Sequence, residues 1–182
     1  MKKWLILFAL LLCWIITAFV IYNNQQTNIT QSQTKQFSPQ RIVSLAPNLT
    51  DILFELGIGE KIVAVPTSAK NLHKYSDKNQ IGNFWQPDIE AIIASKPDLV
   101  ITLSFSQQQL IADRLKKIGC NCLTVKIQSI DQLFDAINLI GKTINKQNES
   151  TELINKIKLS LSRISDKIKN KTKPKTLYVV QQ

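Results

Sequence analysis

The chain has 182 residues, 44% of them apolar and 20% charged, with three cysteines and one histidine. That is one domain's worth of sequence, and the composition excludes a disordered, collagenous or disulfide-framed chain. His73, Cys120 and Cys122 are too few for a multi-ligand zinc site. The net charge of +10 is uneven: residues 1–40 hold three basic residues and no acid, 41–141 hold ten of each sign, and 142–182 hold ten basic and three acidic. The excess lies on a C-terminal stretch, and Lys156–Lys175 contains no aromatic. A nucleic-acid groove would interleave aromatics with its basic residues, so a solvated basic helix is the better reading and no nucleic-acid partner is expected.

Met1-Lys2-Lys3 precedes Trp4–Tyr22, nineteen residues without a charge. As a helix that run reaches about 28 Å, close to the thickness of a hydrocarbon core. It is longer than the apolar region of a cleaved signal, and its only small-residue cleavage site ends inside it, at Ala18. An uncleaved signal anchor over residues 1–22 is the preferred reading, with a cleaved signal peptide as the alternative. Cys13 follows Leu12, where lipid attachment would want a small residue. Lys2 and Lys3 keep the N-terminus cytoplasmic, so everything after Asn23 is expected to be exported to the periplasmic side of the inner membrane. Residues 23–40 read as a polar tether.

Beyond residue 40, short apolar runs alternate with helical patterns. Residues 41–45 read as a strand. Asn48 then reads as a helix cap, with Leu49, Ile52, Leu53 and Leu56 at helical spacing up to Gly57. Residues 61–65 are a second strand and 66–80 are polar and irregular. A short helix over 88–94 is opened by Pro87, and 98–103 is a third strand. Ser106–Gln109 reads as a capping box before a helix to Gly119, 120–125 as a fourth strand, and Ser129–Gln132 as a second box before a helix to about Ile144. The alternation predicts an α/β fold, a parallel sheet flanked by helices. From about Ser150, Ile154, Ile157, Leu161, Ile164 and Ile168 recur at three and four residues, which predicts one long amphipathic helix to about Asn170. Pro174 breaks it, and 176–180 reads as a further strand.

Catalytic templates are missing: there is no G-x-S-x-G, no Walker A loop, and Gly57-Ile-Gly59 lacks a third glycine. No enzyme activity and no cofactor are expected. His73 reads as a loop residue rather than a base. Cys120 and Cys122 project to one strand face, either as small apolar residues or as a strained disulfide or soft-metal pair. The sequons at Asn28, Asn48, Asn148 and Asn170 carry little weight in so Asn-rich a chain. Phe84-Trp85, on a loop before a helix, is either a lid on the core or a flat stacking surface for a ligand.

The run from Arg41 to Gly57, the segment Gly59–Val65 and the stretch from Ile81 to Ile101 follow one another in this order. In that order they resemble the periplasmic binding proteins for cobalamin and ferric siderophores. Leu115–Gly119 and Ser129–Gln132 fall where that family has matching segments. The resemblance implies two α/β lobes joined by a rigid helix, a ligand held in the cleft between them, and service to an ABC importer. On that pattern residues 41–147 are the N-terminal lobe, 148–171 the interlobe helix and 172–182 the start of a second lobe that is otherwise cut off. It further implies ligand contacts at Trp85 and Phe84, with Pro47, Asn48, Thr67, Ser68, Ser104 and Phe105 facing the same cleft. Glu90 would dock the permease, against the plainer reading of a favourable acid in a first helical turn. In siderophore binders cleft arginines meet anionic groups, whereas Arg41, Arg114 and Arg163 lie off these loops, which favours a large near-neutral ligand. The expected ligand is a cobalamin-like corrinoid or a ferric chelate. The alternative is a membrane-anchored single-lobe interaction protein that transports nothing.

Overall fold

Four apolar segments and one short polar one line up as a single parallel sheet. The strands are β1 (Ile42–Ser44), β2 (Ile62–Val65), β3 (Asn79–Gln80), β4 (Leu99–Leu103) and β5 (Cys122–Val125). Their order is β3-β2-β1-β4-β5, with every pairing parallel. The helices are α1 (Pro47–Glu55), α2 (Ile89–Ala94), α3 (Ser106–Lys117), α4 (Ile130–Thr143) and α5 (Gln147–Ile168). The computed structural model describes residues 14–19, 37–69, 75–172 and 175–176.

The chain divides into two units, Met1–Gln36 and Phe37–Gln182. Of the first, residues 14–19 are described; they are helical, with Trp14, Ile15, Ile16 and Phe19 exposed. Among the described residues no helix is long and apolar enough to cross a membrane. Most of the expected spanning helix over 4–22 lies outside the described residues. Also outside them are Cys13, residues 20–36 of the apolar run and tether, His73, Pro174 and residues 177–180 of the last expected strand.

In the second unit, alternation along each strand sends side chains to two cores. Ile42, Leu99, Ile101 and Val125 join α1, α4 and the start of α5 on one face. Val43, Ala64 and Val100 join α2 and α3 on the other. A parallel sheet covered on both faces needs apolar residues at successive positions, and that is why these strands read as continuous apolar runs. The chain runs outward from β1 to β3, returns beside β1 as β4, and continues to β5. The switch point thus lies between β1 and β4.

Four local expectations are corrected. Helix α1 begins at Pro47 with Ala46 as its cap, and the Asn48 side chain only accepts from the next amide, Leu49 N–H (3.0 Å). Proline at the first helical position has no N–H to satisfy and a preset φ, so it displaces Asn48 from the cap. Asp88 caps α2 rather than starting it, accepting from the N–H groups of Glu90 and Ala91. Helix α3 has Phe105 as its cap with no side-chain bond, so the expected Ser106 box does not form. The segment 66–80 is not wholly irregular: a 3-10 turn spans Thr67–Ala69, and Asn79–Gln80 pairs with β2 as an exposed edge. The second expected box is half realised. Ser129 accepts from Gln132 N–H, but Gln132 reaches back to Gln128 N–H.

Helix α5 changes character along its length. Ser150 and Ile154 are buried, Leu153 and Ile157 pack on the core, and an added Cβ at Gly141 of α4 would stand 2.6 Å from the Ser150 side chain. A glycine at that point lets the two helices meet. Further on, Leu161, Ile164 and Ile168 are all exposed, so the apolar stripe runs on without a core beneath it.

Candidate ligand-binding site

In a parallel sheet all carboxyl ends lie on one edge, and loops from that edge surround the switch point where ligands of open α/β folds bind. Four sequence-predicted groups leave from it: Pro47-Asn48 after β1, Thr67-Ser68 after β2, Phe84-Trp85 after β3, and Ser104-Phe105 after β4. The structure brings three of these side chains together. The Phe84 and Trp85 rings lie 4.9 Å apart at 79°, Phe84 and Phe105 5.1 Å apart at 35°, and Trp85 and Phe105 5.9 Å apart at 66°. Phe84 is half-buried and packs on the core, whereas Trp85 is 63% exposed. One ring of the pair is seated on the core and the other is exposed.

Backbone hydrogen bonds hold the aromatic loop in place. Asn83 Oδ1 accepts from the N–H groups of Trp85 and Gln86, both at 2.8 Å. Gly82 sits at φ +80°, and an added Cβ would meet Gln86 O at 2.8 Å, so only glycine fits the turn. Thr67 donates to Gly82 O through both its N–H (2.8 Å) and its hydroxyl (3.0 Å). Its hydroxyl is therefore a brace for the loop. Ser68, Ser104 and Asn48 are exposed on the same edge, and Pro47 is half-buried at the start of α1.

Reading the sequence missed Gln108. It lies in the first turn of α3, fully buried. Its Oε1 accepts from Thr102 Oγ1 (3.0 Å) and Leu103 N–H (2.9 Å), and its Nε2 donates to Leu45 O (2.8 Å) and Phe84 O (3.2 Å). One amide thus ties the ends of β1 and β4 to the aromatic loop. The available signal was a glutamine three residues past a loop aromatic, which the supposed box at Ser106 obscured.

The other candidates lie away from the rings. Glu90 is exposed in the first turn of α2. Cys120 and Cys122 are free, half-buried thiols packed beside the second core. They line a cavity of about 740 Å³ with Phe37, Leu99, Lys116 and Thr143, at the amino edge of β4 and β5. Among the described residues no group of three or more side chains could hold a metal ion.

Comparison with known proteins decides the family. Residues 42–182 match the family model described as periplasmic binding protein. The chain belongs to the periplasmic binding protein family. It is 31% identical over 160 residues to an uncharacterized ABC transporter substrate-binding lipoprotein, YvrC, of Bacillus subtilis, covering 82% of this chain and 49% of that one. It is 28% identical over 107 residues to the vitamin B12-binding protein of Vibrio cholerae, covering 59% of this chain and 39% of that one. Among solved structures, a possible iron-binding (periplasmic solute-binding) protein of Staphylococcus epidermidis superposes with a TM-score of 0.68 at 30% identity, covering 75% of this chain and 54% of that one. The chain thus spans about half the length, or less, of these members of the periplasmic binding protein family. Its parallel sheet with flanking helices corresponds to one lobe of a binding protein.

Proposed function

We propose that the chain supplies the ligand-binding N-terminal lobe of an ABC importer's substrate-binding protein, taking a cobalamin-like corrinoid or a ferric chelate against the ring cluster. The observation that carries this reading is the Phe84–Trp85–Phe105 cluster at the switch-point edge, with Trp85 left exposed. Aromatic faces bury large area at little conformational cost and suit a flat or chelated ligand. The names of the vitamin B12-binding and iron-binding relatives support the ligand class. Residues 41–147 form the lobe, 148–171 the interlobe helix, and 172–182 the entry to a second lobe. Residues 4–22 anchor the chain on the periplasmic side of the inner membrane, and Glu90 meets the permease.

A lobe forms one wall of such a site, and sites of this kind bury about 70–90% of a drug-sized ligand. The test is a titration of the full chain in detergent with cyanocobalamin and with ferrichrome, for the parent and for Trp85→Ala. Saturable binding weakened by about 1–3 kcal/mol in the variant is expected, the range for losing a large aromatic anchor. Absence of saturable binding by either ligand, or a lowered Tm with unchanged affinity in Trp85→Ala, would overturn the reading. A second reading, an anchored interaction protein without transport, draws on the exposed stripe Leu161, Ile164 and Ile168. It predicts that a partner protein, rather than either small ligand, is bound.

A further inference from the structure

We infer that Gln108 is a positioning residue: through its side-chain amide, helix α3 sets where the aromatic loop stands and so fixes the spacing of the three rings. The inference rests on the binding role just proposed for those rings. Phe105 is the cap residue of α3 and Gln108 lies three positions on, within one helical turn. That turn therefore carries one ring covalently and holds the other two through a hydrogen bond, Gln108 Nε2 to Phe84 O at 3.2 Å. The second Nε2 hydrogen goes to Leu45 O at 2.8 Å, directly before the loop that opens α1.

The amide cannot rotate freely. Its oxygen is claimed by Leu103 N–H, a backbone donor that fixes the direction in which its two N–H groups point, while the Thr102 hydroxyl adds a second bond to the same oxygen. A primary amide has two donors and one carbonyl acceptor, and here both donors and both lone pairs are engaged. Asn83 holds the loop to itself, and Thr67 holds it to the turn after β2. Gln108 supplies the link from the helix that bears Phe105. Buried groups paired on all sides resist displacement because each broken bond leaves an unsatisfied partner behind.

A merely structural glutamine would stabilise the lobe without governing the rings, and the two roles separate experimentally. The full chain contains Trp4, Trp14 and Trp85. Trp4→Phe and Trp14→Phe together leave Trp85 as the sole indole. In that background three variants are compared. Gln108→Met keeps the length and removes every hydrogen bond. Gln108→Glu keeps the accepting oxygens and loses the donors toward Leu45 and Phe84. Thr102→Val removes one accepted bond and spares both donors.

Time-resolved anisotropy reads the local motion of the Trp85 indole, and cyanocobalamin and ferrichrome titrations read the site. Both Gln108 variants are expected to enlarge the fast nanosecond component of Trp85 and to weaken ligand binding by about tenfold, near the worth of one buried hydrogen bond. Thr102→Val is expected to lower thermal stability while leaving Trp85 motion unchanged and affinity within about twofold. Trp85 motion in the Gln108 variants no greater than in Thr102→Val would overturn the proposal. Loss of cooperative unfolding in both Gln108 variants would do the same, assigning the residue to the fold. If neither ligand binds the parent, the binding reading fails on its own, and Trp85 motion still decides the role of Gln108.

Discussion

The two edges of the sheet are held by different chemistry. At the carboxyl edge the groups that fasten the aromatic loop are neutral and grip backbone: Gln108 on Leu45 and Phe84, Thr67 on Gly82, Asn83 on Trp85 and Gln86. At the amino edge they are charged. Arg41 donates to Ser95 O (Nη2, 2.6 Å) and Lys96 O (Nε, 3.0 Å), where the carbonyl end of α2 is negative. Asp98 accepts from the N–H groups of Gln40 (2.7 Å) and Arg41 (3.0 Å). The amino edge also holds the cavity of about 740 Å³, without the ring cluster. The cavity and the ring cluster therefore lie at opposite edges of the sheet. The amino edge uses its polar atoms to close off element ends, and its void is lined by thiols and strand starts. The carboxyl edge buries one amide, that of Gln108, behind its loops and leaves Trp85 exposed.

The sharpest way to break this contrast is at Asp98. Its carboxylate ties residues 40 and 41 to the start of β4, and hydrogen bonds to a charged group are worth about 1.5–3 kcal/mol. Asp98→Ala is expected to lower unfolding free energy by about 2 kcal/mol in chemical denaturation on that scale. Trp85 motion and ligand affinity should stay at parental values. A parallel loss of affinity would show that the two edges are coupled and that the division drawn here is wrong.

Glu90 sharpens the same contrast with a smaller effect, because α2 starts at the carboxyl edge and presents this acid to solvent. Charge at a rim tunes encounter more than complex strength. Glu90→Lys is expected to slow association with the permease by roughly two- to tenfold at low salt, less at high salt, and to leave ligand affinity alone. Stability should fall by only about 0.3–1 kcal/mol, the worth of an acid in a first turn. Stopped-flow association at two salt concentrations checks it; a salt-independent rate would return Glu90 to a helix-start role.

The fold was legible because burial on both sheet faces leaves continuous apolar runs, as in Ile42-Val43 and Leu99–Ile101, and helical periods between them. Of the ring cluster, Phe84 and Trp85 were conspicuous on a loop before a helix, whereas Phe105 entered only through the family resemblance. What failed was polar detail. Asn48, Ser106 and Gln108 all have side chains able to cap, and composition cannot say which of them the backbone will use. Pro47 decided the first, Phe105 took the place expected of Ser106, and Gln108 turned away from its own helix toward Phe84 O and Leu45 O. Strand β3 escaped notice because Asn79 and Gln80 are exposed on an edge and show no apolar alternation. Such choices depend on partners 24 to 63 residues away, as the Gln108 bonds do.

The finest test of the contrast concerns Cys122, in the lining of the amino-edge cavity. Burial pushes its thiol from the ordinary 9.0 up to about 11, with Cys120 and Asp113 adding to the rise and Lys116 opposing it. A folded pKa above the unfolded one means that the thiol's contribution to stability is intact below pH 9 and fades as pH climbs through about 11. At pH 8 only about a thousandth of such a thiol is thiolate, against about a tenth for an unperturbed one. Alkylation of Cys122 by iodoacetamide, followed by peptide mass spectrometry to separate it from Cys13 and Cys120, should therefore be slow at pH 8. Its rate should climb about tenfold per pH unit without levelling off near pH 9. That profile would mark the cavity as an apolar, unreactive part of the core, unlike the exposed ring surface at the opposite edge. A rate that plateaus near pH 9 would put the thiol in water and make the amino edge a second open surface.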